Sequence, residues 1–240
     1  MRSIRQSREP LHFRKWKKDN QASPQLLSYP PPSTILASIK LALYSEQHGL
    51  CAYTLCALSA PADGHIEHIE PRSHHPKKSL DYSNLALCIP ANGGDTSIGF
   101  GAPIKGGRDV LLNENFISPH SRGCDKRFIY KSNGSVEAVP NDPAAQATIE
   151  LLKLNCEKLK ELRLASITAH GLTFRSGRVA RRKARPISNA EATRLTNEIL
   201  QPDSEGRLQA FCIAIYQVAL QYAKDEAERS RRIAAGLKKR

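Results

Sequence analysis

Glu67 and His68 stand side by side in His65-Ile66-Glu67-His68-Ile69-Glu70-Pro71, and Asn84 follows in Leu80-Asp81-Tyr82-Ser83-Asn84-Leu85. These residue types suit metal-assisted hydrolysis of a phosphodiester. That reaction needs an in-line water and a group to take its proton, which a histidine near neutral pKa can do. It also needs stabilisation of charge at phosphorus and at the leaving oxygen, which a hard divalent cation on oxygen ligands supplies. On a strand, a carboxylate and an imidazole at adjacent positions point to opposite sides. The pair is therefore expected where the strand bends toward the Pro71 loop, so that both groups flank one phosphate. An asparagine at the start of the next apolar stretch is placed to hold the loop between them.

Other side chains around this segment carry open readings. His65 is either a supporting group for the same site or faces away on the strand. Lys105, in a glycine-rich stretch, reads as a phosphate contact or as a turn lysine. His74 and His75 read as solvent or phosphate contacts, and His120 and His170, without a partner in sequence, as structural.

The elements that would position these groups are legible from pattern. Ser33 can open a helix after Pro30-Pro31-Pro32, with Ile35, Leu36, Ile39, Ala42 and Leu43 at helical spacing and Gly49 as its stop. Strand-like pieces are expected over 50–55 and 64–69, a basic loop over 72–79, and a short helix from near Asn84. Residues 92–109 are glycine-rich with little periodicity, and a loop of that length is usually functional or disordered. Phe128-Ile129-Tyr130 and Val136 flank Asn133-Gly134, a hairpin signal. From Asp142 the pattern is helical, with a capping box at Ser188–Glu191 and a last helix expected from about Ser204. The division that follows is an arm over 1–32, a core over 33–138 and a helical basic region over 139–240. Trp16 on the arm could anchor a partner or cap the chain's own core.

Charge and composition narrow the class. The 240 residues carry a net charge of +13, with aromatics at only 6 %. A large basic excess favours phosphate-bearing partners, and few aromatics imply an aliphatic, helix-rich interior. Six scattered cysteines lack the density of a secreted disulfide scaffold. No stretch approaches the roughly 20 apolar residues that span a bilayer, so a cytoplasmic, reduced protein without membrane contact is expected. Basic clusters at 175–185 and 229–240 read as a nucleic-acid track, as solvated tails or as contacts for an acidic partner.

Glu67-His68-Ile69-Glu70-Pro71 followed by Asn84-Leu85 resembles the HNH nuclease motif, a β-hairpin and helix that grip one metal ion. The resemblance implies an α+β fold with a small HNH core between an N-terminal helix and a C-terminal helical region. It implies His68 as general base, Glu67 as metal ligand and Asn84 as the residue pinning the loop. Cys88-Ile89-Pro90-Ala91-Asn92 is similar to the family's closing Cys-x-x-Cys-Asn, which makes Asn92 the second metal ligand. The implied cofactor is one Mg²⁺ or a similar divalent ion. Many relatives clamp the hairpin with zinc on two Cys-x-x-Cys pairs. Here Thr54 and Ala91 stand where the second cysteines would be, after Cys51 and Cys88, and Cys56 and Cys124 do not repair the set; no structural zinc is expected.

The likeness extends through Gly49-Leu50-Cys51-Ala52-Tyr53-Thr54, Gly101-Ala102-Pro103-Ile104-Lys105-Gly106, Phe116-Ile117-Ser118-Pro119 and Cys124-Asp125-Lys126-Arg127-Phe128. In this order these segments resemble the PtuB-like HNH endonucleases of Septu-type and retron-associated anti-phage defence systems, over roughly residues 1–170. The implied partners are a PtuA-like ATPase of the ABC/SMC type and, in the retron branch, a reverse transcriptase with its RNA–DNA product. The substrate could be DNA or RNA. Two rival readings stay open: a nucleic-acid-binding adaptor that keeps the HNH fold without activity, and a stand-alone restriction-type nuclease.

Overall fold

A computed structural model describes residues 1–109, 116–172 and 187–237. The basic cluster at 175–185 and the last residues of the second basic run, 238–240, lie outside that set. The fold is mixed α+β, and among the described residues the sheets are two antiparallel pairs.

Near the start, α1 (Leu11–Asp19) turns Phe13 inward and stacks Trp16 beside it, ring centroids 6.1 Å apart. Trp16 thereby packs on the chain's own interior. After the prolines, α2 (Ser33–Glu46) buries Ile39 and Leu43, one turn apart. It stops where His48 and Gly49 turn left-handed (φ 54° and 70°), and the Gly49 N–H donates back to the Tyr44 carbonyl at 2.9 Å. This is the glycine stop expected from the sequence.

The strand expected over 50–55 is instead a buried turn. The Leu55 N–H reaches the Cys51 carbonyl (3.0 Å), the Cys51 N–H reaches that of Cys56 (2.9 Å), and Leu55 itself has φ 64°. Every residue from 50 to 55 is buried, so the apolar run reflects enclosure on all sides rather than a sheet face.

β1 (His65–His68) pairs antiparallel with β2 (Leu85–Cys88), with His65 opposite Cys88, Glu67 opposite Ala86 and His68 opposite Leu85. The helix expected from Asn84 does not form. Tyr82–Asn84 is a single 3-10 turn, capped by the Asp81 carboxylate on the Ser83 N–H (2.9 Å), and the chain then extends into β2. All four β2 residues are buried, and a short apolar run enclosed on both faces carries no period that separates strand from helix. Next, the glycine-rich stretch holds a 3-10 turn at Thr96–Ile98 and one short helix, α3 (Ala102–Lys105).

β3 (Phe128–Tyr130) and β4 (Val136–Ala138) form the hairpin turned on Asn133-Gly134. Gly134 has φ 82°, and a Cβ there would lie 2.2 Å from the Lys160 carbonyl oxygen, so no other residue fits. Asp142 caps α4 (Pro143–Leu151). α5 (Glu157–Ala169) supplies the fully enclosed Arg163, whose guanidinium donates to the carbonyls of Gly134 and Leu154 and so ties the hairpin to the α4–α5 turn. α6 (Asn189–Glu198) begins on the expected Ser188–Glu191 capping box. α7 (Cys212–Leu237) starts later than expected, because Phe211 is left-handed (φ 57°) and cannot join the helix; Leu208 and Phe211 are buried all the same.

The β1–β2 pair separates two apolar clusters. Ile66, Leu85 and Leu87 face a smaller one with Phe13, Ile39, Leu43 and Leu58. Ala86 and Cys88 face the larger one, which includes Cys51, Tyr53, Phe100 and the inner sides of α4 to α7. Among the described residues, no helix is long and apolar enough to cross a membrane.

Candidate functional site

Strand alternation sends His65 and Glu67 to one face of β1 and His68 to the other. The bend expected at the Glu67–His68 pair comes later. The ladder runs on through the Ile69 N–H to the Asn84 carbonyl (3.0 Å), and the chain leaves it at Glu70-Pro71. The two groups thus lie on opposite faces of one strand end.

Asn84 fastens the loop that follows. Its Oδ1 accepts the Glu70 N–H (2.7 Å), while Nδ2 donates to the carbonyls of Glu70 (2.9 Å) and Lys78 (3.2 Å). A buried amide that meets its neighbours' backbone groups on both sides rigidifies the turn and leaves nothing unpaired.

His68 is 7 % exposed. Its Nε2 lies 3.0 Å from the Ser79 carbonyl, and a carbonyl only accepts, so Nε2 carries the proton and Nδ1 keeps its lone pair. Burial pushes the His68 pKa below its usual value, against the opposing pull of the Ser79 carbonyl, and the Arg72 charge adds to the fall. That fall favours the neutral ring. Tyr29 meets it edge-on with centroids 4.6 Å apart, and the exposed Arg72 guanidinium rests 4.5 Å above the Tyr29 ring.

On the other face, Lys105 is 1 % exposed and places its ammonium 2.7 Å from Glu67 Oε1 and 3.1 Å from the His68 carbonyl. Tyr53 donates to the same carboxylate oxygen at 3.4 Å. Lys105 therefore spends its charge inside the site, on Glu67, rather than on a phosphate at the surface. Glu67 Oε2 faces His65 Nε2 at 3.9 Å, and His65 Nδ1 is 2.6 Å from the Pro90 carbonyl. Burial works to lower the His65 pKa, but the Glu67 carboxylate and the Pro90 carbonyl prevail and raise it. Gly93 lies under the His65 ring; a Cβ there would come within 2.6 Å of it. The loop bearing Asn92 is thereby seated beside His65. Asn92 itself is exposed, with Oδ1 accepting the Gly94 N–H at 3.1 Å.

The cysteine positions also converge. Cys51, Thr54 and Cys88 are buried together. Burial opposes ionisation of Cys51, yet hydrogen bonds with Cys88, Thr54 and the Ile89 backbone bring its thiol down to about 6, while burial and Cys51 push Cys88 well up. Cys124 lies elsewhere, against Ser3 and the Pro119 carbonyl. The hairpin has a further fastening that sequence reading missed, the buried Gln47. Its Nε2 donates to the carbonyls of Leu50 (2.7 Å) and Leu87 (2.8 Å), and its Oε1 accepts the Leu87 N–H (2.8 Å). Together with the Ala52 N–H on the Leu87 carbonyl (3.1 Å), it occupies the free edge of β2.

The basic loop is partly self-neutralised. Lys78 sits 2.5 Å from Glu70, and His75 lies between Glu70 (3.5 Å) and Asp109 (3.1 Å). Burial holds His120 down to about 4 and lowers His170 as well.

Glu67, with a carboxylate oxygen turned away from Lys105 toward an imidazole, offers donors that a divalent cation accepts. Among the described residues no three His, Cys, Asp or Glu side chains converge as a metal cluster. Glu67 and His65 are two, and any further donor must be an amide, water or substrate oxygen. No protein-family model matches the chain, and no curated protein matches its sequence.

Proposed function

We propose that the chain is an HNH-type endonuclease, a metal-dependent phosphodiesterase acting on nucleic acid in an anti-phage defence complex. The observation that carries this reading is the state of His68. Its imidazole is seated through Nε2 on the Ser79 carbonyl, with Nδ1 left as the acceptor nitrogen, across the strand from Glu67 and beside the loop that Asn84 closes. That is the condition of a base waiting for a water proton.

Glu67, through Oε2, and Asn92 in the adjoining loop would hold the divalent ion. When bound, the ion supplies electrostatic stabilisation of the phosphate and leaving oxygen. His68 Nδ1 takes the proton of the attacking water, and the Ser79 carbonyl keeps the resulting imidazolium in place. Asn84 keeps Glu70 and Lys78 from drifting, which fixes where the strand end releases the chain. Lys105 sets the carboxylate's orientation. The +13 net charge suits a polyanionic substrate. The PtuA-like ATPase and the retron reverse transcriptase with its RNA–DNA product belong to this proposal as partners, and cytoplasmic action follows from it.

A second reading, the inactive nucleic-acid-binding adaptor, is favoured by one observation: His68 is nearly enclosed under Tyr29. Cleavage of labelled DNA and RNA by the purified protein, with partners that co-purify and with Mg²⁺ or Mn²⁺, separates the two. His68→Ala should lower the rate by about 10²–10⁴-fold. Because the His68 pKa is depressed, the base stays neutral at pH 7, and the rate should fall only as pH drops below about 6.5. Cleavage by His68→Ala at the wild-type rate would exclude the nuclease reading.

A further inference from the structure

We propose that His65 is a ligand of the site's cation through Nε2, and that the Glu67–His65 pair selects a first-row transition ion, for which Mn²⁺ serves as the probe, over Mg²⁺. The inference rests on the nuclease reading for its purpose, and on geometry for its substance.

The Pro90 carbonyl can only accept, so the 2.6 Å contact fixes the proton on His65 Nδ1. A backbone carbonyl on the far nitrogen is the arrangement that orients a metal-binding imidazole and raises its basicity. The other nitrogen, Nε2, then turns toward Glu67 Oε2 at 3.9 Å. That spacing is too long for a charge-assisted hydrogen bond, which closes to about 2.7–2.9 Å. Metal–ligand bonds of about 2.0–2.2 Å place two ligands of one ion up to roughly 4 Å apart.

The surroundings hold this pair in place. His65 and Glu67 are two apart on one face of β1, their spacing set by the strand. Lys105 and Tyr53 occupy Oε1, which leaves Oε2 as the outward oxygen. Gly93 leaves room for the imidazole where any side chain would collide with it.

Chemistry then sets the preference. An imidazole nitrogen beside one carboxylate suits Mn²⁺, Co²⁺, Ni²⁺ or Zn²⁺ better than Mg²⁺, which takes oxygen donors almost alone. The Mg²⁺ or similar divalent ion implied by the resemblance is narrowed, in this proposal, to a transition ion.

The test is metal binding by the full chain, with no reliance on turnover. Calorimetric titration should show Mn²⁺ bound at least tenfold more tightly than Mg²⁺. Pulsed EPR of the Mn²⁺-loaded protein should show coupling to a directly bound nitrogen. In His65→Gln the coupling should vanish and Mn²⁺ affinity should fall about 10–100-fold, with thermal unfolding in chelator confirming that the variant folds. If that variant does not fold, ¹⁵N-histidine labelling of His68→Ala should still change the coupling, because the nitrogen in question is not that of His68. Equal affinity for the two ions, no nitrogen coupling, or coupling that persists in His65→Gln would overturn the proposal. Those results leave the nuclease reading intact if His68→Ala still abolishes cleavage. Conversely, a nitrogen-bound Mn²⁺ with no cleavage under any ion removes the nuclease reading and spares the His65 site.

Discussion

Lys105 and Glu67 form one buried ion pair on which the fold depends and which, in the proposed site, orients the metal-binding carboxylate. An ammonium with no solvent exposure is stable only because a carboxylate and a carbonyl receive it, at 2.7 and 3.1 Å. Lys105→Met should therefore leave the Glu67 charge stranded and cost about 3–5 kcal/mol, read as a lower urea midpoint. Excess Mn²⁺ should return part of that loss, since a second cation can neutralise the same carboxylate. An identical loss with and without the ion would show that Glu67 does not face a metal. Residue type and spacing single out Glu67, His68 and Asn84 as candidates, and the fold seats Asn84 on the Glu70–Lys78 loop while Glu67 and His68 part to opposite faces of β1. The partner of Lys105 could not be read from sequence, because it lies 38 residues away and a lysine beside glycines reads as a surface group. Tyr29 and Arg72 give no local signal at all; only the folded chain brings them to His68.

The β1–β2 hairpin depends on contacts that local pattern does not reveal. Its alternating strand, β1, was legible, as were α2 with its glycine stop, the Asn-Gly hairpin, and the capped helices α4 and α6. β2 was not, because burial on both faces erases alternation; the 50–55 turn was misread for the related reason that it is enclosed throughout. Gln47, one residue past the end of α2, looks like any helix-terminal glutamine, yet it makes three buried hydrogen bonds to Leu50 and Leu87. Replacing it by Leu takes the side-chain partner from the Leu50 carbonyl and the Leu87 N–H, while the Leu87 carbonyl keeps the Ala52 N–H. At about 1–3 kcal/mol for a buried group left unpaired, with some rescue by water, we expect a loss of about 2–4 kcal/mol. Hydrogen exchange should show the Leu87 amide opening faster while the amides of α4 and α5 stay protected. A uniform rise across the chain would mean that Gln47 supports global rather than hairpin stability.

Taken as one body, the chain folds its first residues into both clusters. Met1 and Ile4 belong to the larger and Phe13 to the smaller, and the Ile4 N–H donates to the Pro119 carbonyl at 2.8 Å. Basic residues, the amphipathic piece around Leu11, Phe13 and Trp16 and the break at Pro30-Pro31-Pro32 set residues 1–32 apart in the sequence; the long-range contacts that anchor them leave no trace in local pattern. Tyr29 lies in that stretch, and its ring closes over His68. Under the proposed nuclease reading a substrate reaches the imidazole only with Tyr29 turned aside, and two ligands that both favour that displaced form would help each other by one common factor. A protein that grips the 1–32 segment with Tyr29 displaced will bind tighter when nucleic acid is present, and nucleic acid will bind tighter by the same ratio when that protein is present. Titrating each in the presence and absence of the other measures the ratio twice, and in Tyr29→Ala it should collapse toward one. Through that single ring, the exposure of His68 would become a quantity that a binding event on residues 1–32 can set.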